Sequence, residues 1–527
     1  MQNPFPLTIK HLCYLALLLC VAVAYSNIYS NGYLLDDEML IFKNKFLTSF
    51  DYLGKIFTSS STAGFGGSDS FFRPMQGLVY LITYQIAGLS IPAFHIPNVL
   101  FHALNACLVL MLGQRLSMPL IASFGAALLW AMHPMHTEAV TYMSATADTL
   151  YTSFCLIALV VLLPDISFKK ICMACVFFIL GILSKETMLV FPLLVMACIY
   201  RTDAARLNIK TWPLWCVALI YVVLRMTVLK LDGLSFYKTE NIYADSILIR
   251  FYTFLATLPD YITLIVWPHD LHMDRAFPVY ASWAVSKVLW GAIPFFAASA
   301  FVLYALIKRR TSHSALIGVW ALIWFACAHL LHTGVPIPVN AFFLEHWMYL
   351  PSIGLFLCAA EYVTAALSRL KSQDTKLISI CIGIIMAGVL GYATYQQNTV
   401  WATPLSFYSN ILAHGTHNAR VHNNIAMAYE NDSDAPLAMQ HYEKAIALSD
   451  TYAQTHYNLA LLMFKNAADR TTFDKGIEHL KRAIEMDPDF FRAYQTLAEA
   501  YNHIGDKENA RINKAKSDEL QKKYFGK

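Results

Sequence analysis

The feature that constrains this chain most is a series of apolar runs, each close to the length that crosses a hydrocarbon layer. Such a layer takes about 20 apolar residues per helix. Runs of this kind fall near residues 9–30, 94–113, 119–133, 147–164, 168–183, 187–200, 212–230, 284–307, 314–332, 348–368 and 376–396. Composition agrees, since 57% of the 527 residues are hydrophobic and only 14% are charged, outside the range of ordinary water-soluble domains. The net charge of +4 comes without a dense Lys/Arg run, so nucleic acid is excluded as a partner and membrane lipid is the solvent for most of the chain. The 11 cysteines, including the Cys172/Cys175 pair, fall almost entirely in apolar runs and read as small core residues.

Two further apolar stretches, 76–89 and 249–268, are ambiguous between spanning and interfacial placement. Cationic loops tend to stay on the cytoplasmic side, and this arbitrates. With both stretches at the interface, Arg115, Lys169, Lys170, Arg201, Arg206 and Lys210 share one side. Lys308, Arg309, Arg310, Arg369, Lys371 and Lys376 join them there. The expectation is an all-α, polytopic bundle of about 11 spans with a cytoplasmic N-terminus. The first run ends in Tyr25, Asn27 and Tyr29 rather than in small residues, so it reads as an uncleaved span.

Beyond Trp401 the pattern becomes amphipathic, which divides the chain into a membrane domain, 1–400, and a tail, 401–527. The tail runs HYNLALLMF into IEHLKRAIEMDP, placing Tyr457, Leu459, Ala460, Ala483 and Pro488 at the spacing of a tetratricopeptide helical hairpin, whose period is about 34 residues. Similar units precede and follow it, and the middle one carries extra residues, Ala467 to Thr472, placed in its turn. Three hairpins in tandem stack into an α-solenoid with a concave groove suited to docking a polypeptide. An odd number of spans puts this tail on the extracytoplasmic side.

Ionisable groups near membrane depth are costly, so each is a functional candidate. Here they collect on the extracytoplasmic side: Asp36, Asp37 and Glu38 after the first run, then Arg73, then His133, His136, Glu138 and Asp148. Lys185 and Glu186 lie together between two apolar runs and read as a functional pair, Lys185 being a buried cation without an evident partner. His269, His272, Asp274, Arg275, Glu345, His346 and Tyr349 complete the set. His133, His136 and Glu138 are of metal-ligating type, but only the two histidines share a helical face, so hydrogen bonding at a helix end is preferred and no metal is assigned. A divalent metal is the minor alternative.

In order, the motifs are YLLDDEMLIFKN (Asp36, Asp37, Asn44), FFRPMQGLVYLI (Arg73) and FHIPNVLFHALN (His95, Asn98, His102). ALLWAMHPMHTEAVTYMSATADTL (His133, His136, Glu138, Asp148), LSKETMLV (Lys185, Glu186), WPHDLHMDR (Asp274) and EHWMYLPSIG (Glu345, Tyr349) follow. This series, with the repeat tail, resembles the transmembrane and tetratricopeptide-repeat O-mannosyltransferases, of the C-type, lipid-donor glycosyltransferase superfamily. The resemblance implies a bacterial-type member, in a bacterial inner membrane or its endoplasmic reticulum equivalent, that moves a sugar from a polyprenyl-phosphate carrier to Ser or Thr of exported protein. It implies Asp36 as the base, Asp37 as its support, Arg73, Lys185, Glu186, His346 and Tyr349 around the donor phosphate, and His95, His102, His133, His136, Glu138, Asp148, Asp274 and Glu345 around the pocket. Where relatives carry arginine, this chain has Thr146 and His346. A glycan- or lipid-modifying transferase using the same donor, and a non-catalytic membrane scaffold, are the competing readings.

Overall fold

The computed structural model describes residues 7–67, 71–163, 165–203, 211–228, 242–275, 277–308, 313–370, 373–415 and 418–525. Of the cations that argued for sidedness, Arg206, Lys210, Arg309, Arg310 and Lys371 lie outside the described residues. The described elements are all helical. The chain separates into two compact units, Met1–Met273 with Phe277–Ala402, and Asp274–Ala276 with Thr403–Lys527.

In the first unit, leaving one-turn pieces unlabelled, α1 is Leu7–Ala24, α2 Pro74–Ala87, α3 Ile91–Arg115 and α4 Leu120–Ala131. They are followed by α5 Thr146–Leu162, α6 Phe168–Ile182, α7 Phe191–Asp203 and α8 Trp212–Thr227. The unit ends with α9 Ile247–Val266, α10 Ser286–Lys308, α11 His313–His329, α12 Ser352–Ser368 and α13 Gln373–Val400. Among the described residues, seven helical segments are long and apolar enough to cross a membrane, those of α1, α3, α5, α9, α10, α11 and α13. The chain is an integral membrane protein.

Burial separates the centre of the bundle from its rim. Of their apolar windows, α5 buries 83% and α3 61%, against 11% for α10 and α13, so the last two keep their apolar faces for lipid. Lipid tails are as apolar as leucine, so close packing rather than water exclusion holds such helices together. Glycines permit it: a side chain at Gly113 would strike Ser123 of α4 and Leu357 of α12, and one at Gly354 would strike Trp324 of α11.

α9 has the length and composition of a span, whereas the sequence placed the stretch 249–268 at the interface. Arg250 near its start donates to the Val335 carbonyl just beyond α11, and the Ile265 carbonyl at its other end lies 3.1 Å from His133 Nε2 just beyond α4. The turn Glu345–Met348 touches both of those neighbours: the His346 N–H donates to Glu138, and Trp347 stacks on His332. α2 is too short to cross, at 14 residues, and leaves Ile82 and Ile86 exposed.

The second unit holds α14 Pro404–Ala413 and three hairpins: α15 Ala419–Asn431 with α16 Ala435–Leu448, α17 Ala453–Asn466 with α18 Arg470–Met486, and α19 Phe491–His503 with α20 Lys507–Phe525. Each hairpin lacks a core of its own, and α17 shows how stacking supplies one. Its Leu459 packs with Ala426, Ala438 and Tyr442, while the adjacent Ala460 packs with Leu480, Ala483 and Leu497. The extra residues are only partly a turn. Asp469 accepts the Thr472 N–H as an N-cap, so Arg470 to Thr472 belong to the first turn of α18.

Candidate functional site

α4 has 12 residues, about 18 Å of helix, and at His133 the chain leaves helical form while still fully buried. The irregular stretch to Ala145 frees backbone groups that must find partners. Those partners define the site. The Asn98 side chain donates to the Tyr142 carbonyl at 2.9 Å, Tyr80 to the Met143 carbonyl at 2.8 Å and Gln76 to the Ser144 carbonyl at 2.7 Å. Thr146 donates to Asn98 and to the Met143 carbonyl, and so serves as a brace.

Held in this way, Ser144 presents two donors to Asp37. Asp37 Oδ1 accepts the Ser144 N–H at 2.8 Å and the Ser144 hydroxyl at 2.5 Å, and Oδ2 accepts the Leu34 N–H at 2.9 Å. Burial pushes the Asp37 carboxyl up to about 7, against the pull of these donors. Asp36 differs in environment: its side chain is exposed, while its N–H donates to the Tyr142 hydroxyl at 3.0 Å. Tyr142 in turn stacks on Trp401, with ring centroids 5.5 Å apart. Leu35, just before the pair, has φ of 50°, a left-handed conformation unfavourable for a leucine and of the kind that is held in place at functional sites.

One helical turn beyond Ser144, Asp148 receives the Lys185 ammonium on both oxygens, at 2.7 and 2.8 Å. The expected Lys185/Glu186 pair is therefore not a pair, and Lys185 is not an unpartnered cation. Glu186 turns instead to Arg73, 3.2 Å away, because the short 3-10 turn that starts at Glu186 sends neighbouring side chains to different elements. Burial pushes the Glu186 carboxyl up, but Arg73, the backbone and Lys185 outweigh it and bring it down to about 2. Arg73 also lies over the Phe71 ring, 4.6 Å from its centroid.

A second group surrounds Glu138, which contacts the His346 ring at 2.8 Å and accepts the His346 N–H at 2.9 Å. Burial alone would raise the Glu138 carboxyl, and His346 holds it below its usual value. His133, His136 and Glu138 diverge from one another. His133 Nε2 faces the Ile265 carbonyl and its Nδ1 caps Met135, while Glu138 faces His346. Glu345 accepts the His272 N–H at 2.9 Å.

His102 lies among these aromatics. Its Nε2 is 3.0 Å from the Ala131 carbonyl, which can only accept, so Nδ1 accepts the Tyr349 hydroxyl at 2.7 Å. Tyr349 is thus a fully buried brace within α3 and α4 rather than an exposed phosphate ligand. His95 Nε2 faces the Asn31 carbonyl at 3.4 Å. Asp274, expected around the pocket, belongs to the repeat unit and pairs there with Arg420.

Sequence reasoning passed over Ser144, Gln76, Tyr80 and Tyr142 as site residues. The signal available was their position inside the quoted motifs, between the ionisable residues they brace.

Comparison with known proteins places these motifs in company. A tetratricopeptide repeat model matches residues 419–452 and another matches 479–512. A protein O-mannosyl-transferase of Caenorhabditis elegans is 24% identical over 443 residues, covering 82% of this chain and 62% of its own. Protein O-mannosyl-transferase TMTC3 of Mus musculus is 25% identical over 483 residues, covering 83% of this chain and 51% of its own. The chain thus spans between half and two thirds of the length of these relatives. A solved structure, ArnT from Cupriavidus metallidurans bound to undecaprenyl phosphate, aligns over 93% of this chain and 92% of its own at 13% identity and a TM-score of 0.40, a level that fixes neither fold nor function. Over four fifths of its length the chain is similar to proteins named O-mannosyl-transferases, and its tail matches tetratricopeptide repeats.

Proposed function

We propose that this protein is a glycosyltransferase that moves a sugar, mannose by the names of its relatives, from a polyprenyl-phosphate carrier to Ser or Thr hydroxyls of exported proteins. The observation that carries the reading is the turn from Ser144 to Asp148, whose two ends anchor opposite chemistry. Ser144 holds Asp37 beside the exposed Asp36, and Asp148 holds Lys185 beside Glu186 and Arg73. An acceptor hydroxyl needs a base and a departing phosphate needs positive charge nearby.

In the reaction, Asp36 takes the proton of the acceptor hydroxyl as its oxygen bonds to C1 of the sugar. The bond from C1 to the phosphate oxygen breaks with inversion, and the electron pair leaves on the carrier phosphate. Arg73 and Lys185 stabilise that charge, with His346 contributing from the Glu138 side. Asp37 keeps the turn fixed. The site and the repeat tail face the extracytoplasmic side, where exported chains emerge, and the tail docks the acceptor.

The test is transfer in detergent with a polyprenyl-phosphate mannose and an exported Ser/Thr-rich protein, read by intact mass. A gain of one hexose per event is expected, absent in Asp36→Asn. Deleting residues 404–527 should abolish modification of the protein while sparing slow transfer to a short peptide at high concentration, because docking supplies effective concentration. Equal loss on both substrates would leave the repeats a structural role only.

A further inference from the structure

His332 lies in the one-turn 3-10 piece Leu330–Thr333 directly after α11, and its side chain is 6% exposed. Neither ring nitrogen has a hydrogen-bond partner among the described residues. Its ring stacks on Trp347, centroids 5.1 Å apart and planes 12° from parallel, which fixes the directions in which the two nitrogens point. Buried polar groups without partners are rare in folded proteins, and a ligand that completes them is one of the few explanations.

The surroundings say which ligand. Besides burial, the groups that bear on His332 include Lys185, His329, His346 and Arg73, each a cation or an imidazole, with the His329 ring centroid 5.8 Å away. The turn also packs against Glu186–Val190 and against α9. The acids those elements bring are already engaged: Glu186 with Arg73, Glu345 with the His272 N–H, Glu138 with His346, and Asp260 of α9 with Lys287. Arg250 of α9 is turned to the Ala244 and Val335 carbonyls. Among the described residues of these elements no carboxylate is left over to meet a protonated His332, so an arriving anion is the natural complement. Lys185 and Arg73 are matched one for one by Asp148 and Glu186, so the second charge of a phosphate monoester calls for a further group such as His332.

We propose that His332 is a further phosphate-binding residue of this pocket, donating from a ring nitrogen to an oxygen of a polyprenyl monophosphate and taking up one proton from solvent as that phosphate binds. The inference rests on the donor reading above and extends it: the carrier gains negative charge when the sugar leaves, and His332 meets that charge. An anion beside an imidazole favours its charged form, so binding and protonation are linked.

The experiment uses the purified full chain in detergent, with farnesyl phosphate as the probe, by calorimetry in two buffers of different ionisation enthalpy at pH 6, 7 and 8. The wild type is expected to take up a fraction of a proton on binding and to bind more weakly as pH rises from 6 to 8. His332→Phe keeps the stacked plane and removes both unpartnered nitrogens, so it should fold at least as well, with about tenfold weaker binding, the usual scale for loss of one charge-assisted hydrogen bond, and reduced proton uptake. His332→Gln, which retains a donor but cannot titrate, should recover part of the affinity and none of the proton uptake. Unchanged affinity and uptake in both variants would overturn the role of His332 while leaving the donor reading intact. No binding by the wild type would instead overturn the donor reading and this inference with it.

Discussion

The two units of this protein use the same charged side chains under opposite physics. In the membrane unit Lys185 and Asp148 face each other with 6% and 4% of their side chains exposed, and in the repeat unit Lys514 and Asp518 do so with 58% and 49% exposed. Water can replace either partner in the second pair and neither in the first. A buried charge is retained against a desolvation penalty of several kcal/mol per ion, whereas a surface pair contributes little in either direction. The contrast teaches where a charge bears on stability in a chain of this kind: in the pairs that the fold had to bond on every side in order to keep.

The largest effect expected is on turnover. Asp36→Asn removes the proposed base while preserving the size of the side chain and the backbone N–H that reaches Tyr142. General-base catalysis is worth about 100- to 10,000-fold, and the rate of hexose transfer should fall by that factor with donor affinity little changed. Full activity in this variant with loss in Asp37→Asn would move the role to the buried partner and reverse the division of labour drawn from their exposure.

Next in size is the buried pair. Lys185→Met strands Asp148, and breaking a buried pair from one side costs about 3–5 kcal/mol. The variant should therefore melt well below the wild type in detergent, contrary to what an unpartnered lysine would lead one to expect. Adding Asp148→Asn should recover most of that stability, since the isolated charge is what destabilises. If the single and double variants melt together, the pair is less isolated from water than its geometry indicates.

Asp37 gives the same region a pH signature. Burial raises its carboxyl from an ordinary 3.8 to about 7, so between those values the folded unit holds a proton that the unfolded chain has released. The stability this contributes is fully present below 3.8 and is lost as pH rises through 7. Thermal inactivation in detergent should come at lower temperature as pH goes from 5 to 7, by at most about 1.4 kcal/mol per pH unit for one proton. Asp37→Asn should flatten the slope, and an equal slope in that variant would assign the pH dependence to another group.

Much of this arrangement was legible in the sequence, for physical reasons that differ by element. The helices show because lipid demands long apolar runs, and the repeats show because Leu459, Ala460 and Ala483 recur at a fixed spacing. The placement of Asp36 and Asp37 shows because acids just past a span are costly to retain. What the sequence hid were the partners. Lys185 sits beside Glu186 in the chain yet bonds Asp148, 37 residues earlier, because a 3-10 turn splits the neighbours. His332 hid because a lone histidine at the end of a span carries no motif, and only Trp347 and the cations around it give it meaning. Tyr349 read as a phosphate ligand because hydroxyl and motif were visible, while its contact with His102, 247 residues away, was not.

The smallest effect expected is the control that makes the others interpretable. Lys514 and Asp518 are an i,i+4 pair on α20, the helix arrangement in which such contacts are possible at all. Both side chains are about half exposed, so on losing its partner each returns to water rather than to an apolar wall. Pairs of this kind contribute about 0.3–0.5 kcal/mol and less at high salt. Asp518→Asn should accordingly leave the melting of the repeat unit within that margin, with the difference vanishing in 1 M salt. A loss as large as that expected for Lys185→Met would mean that exposure does not govern the value of ion pairs in this protein, and the contrast between its two units would have to be abandoned.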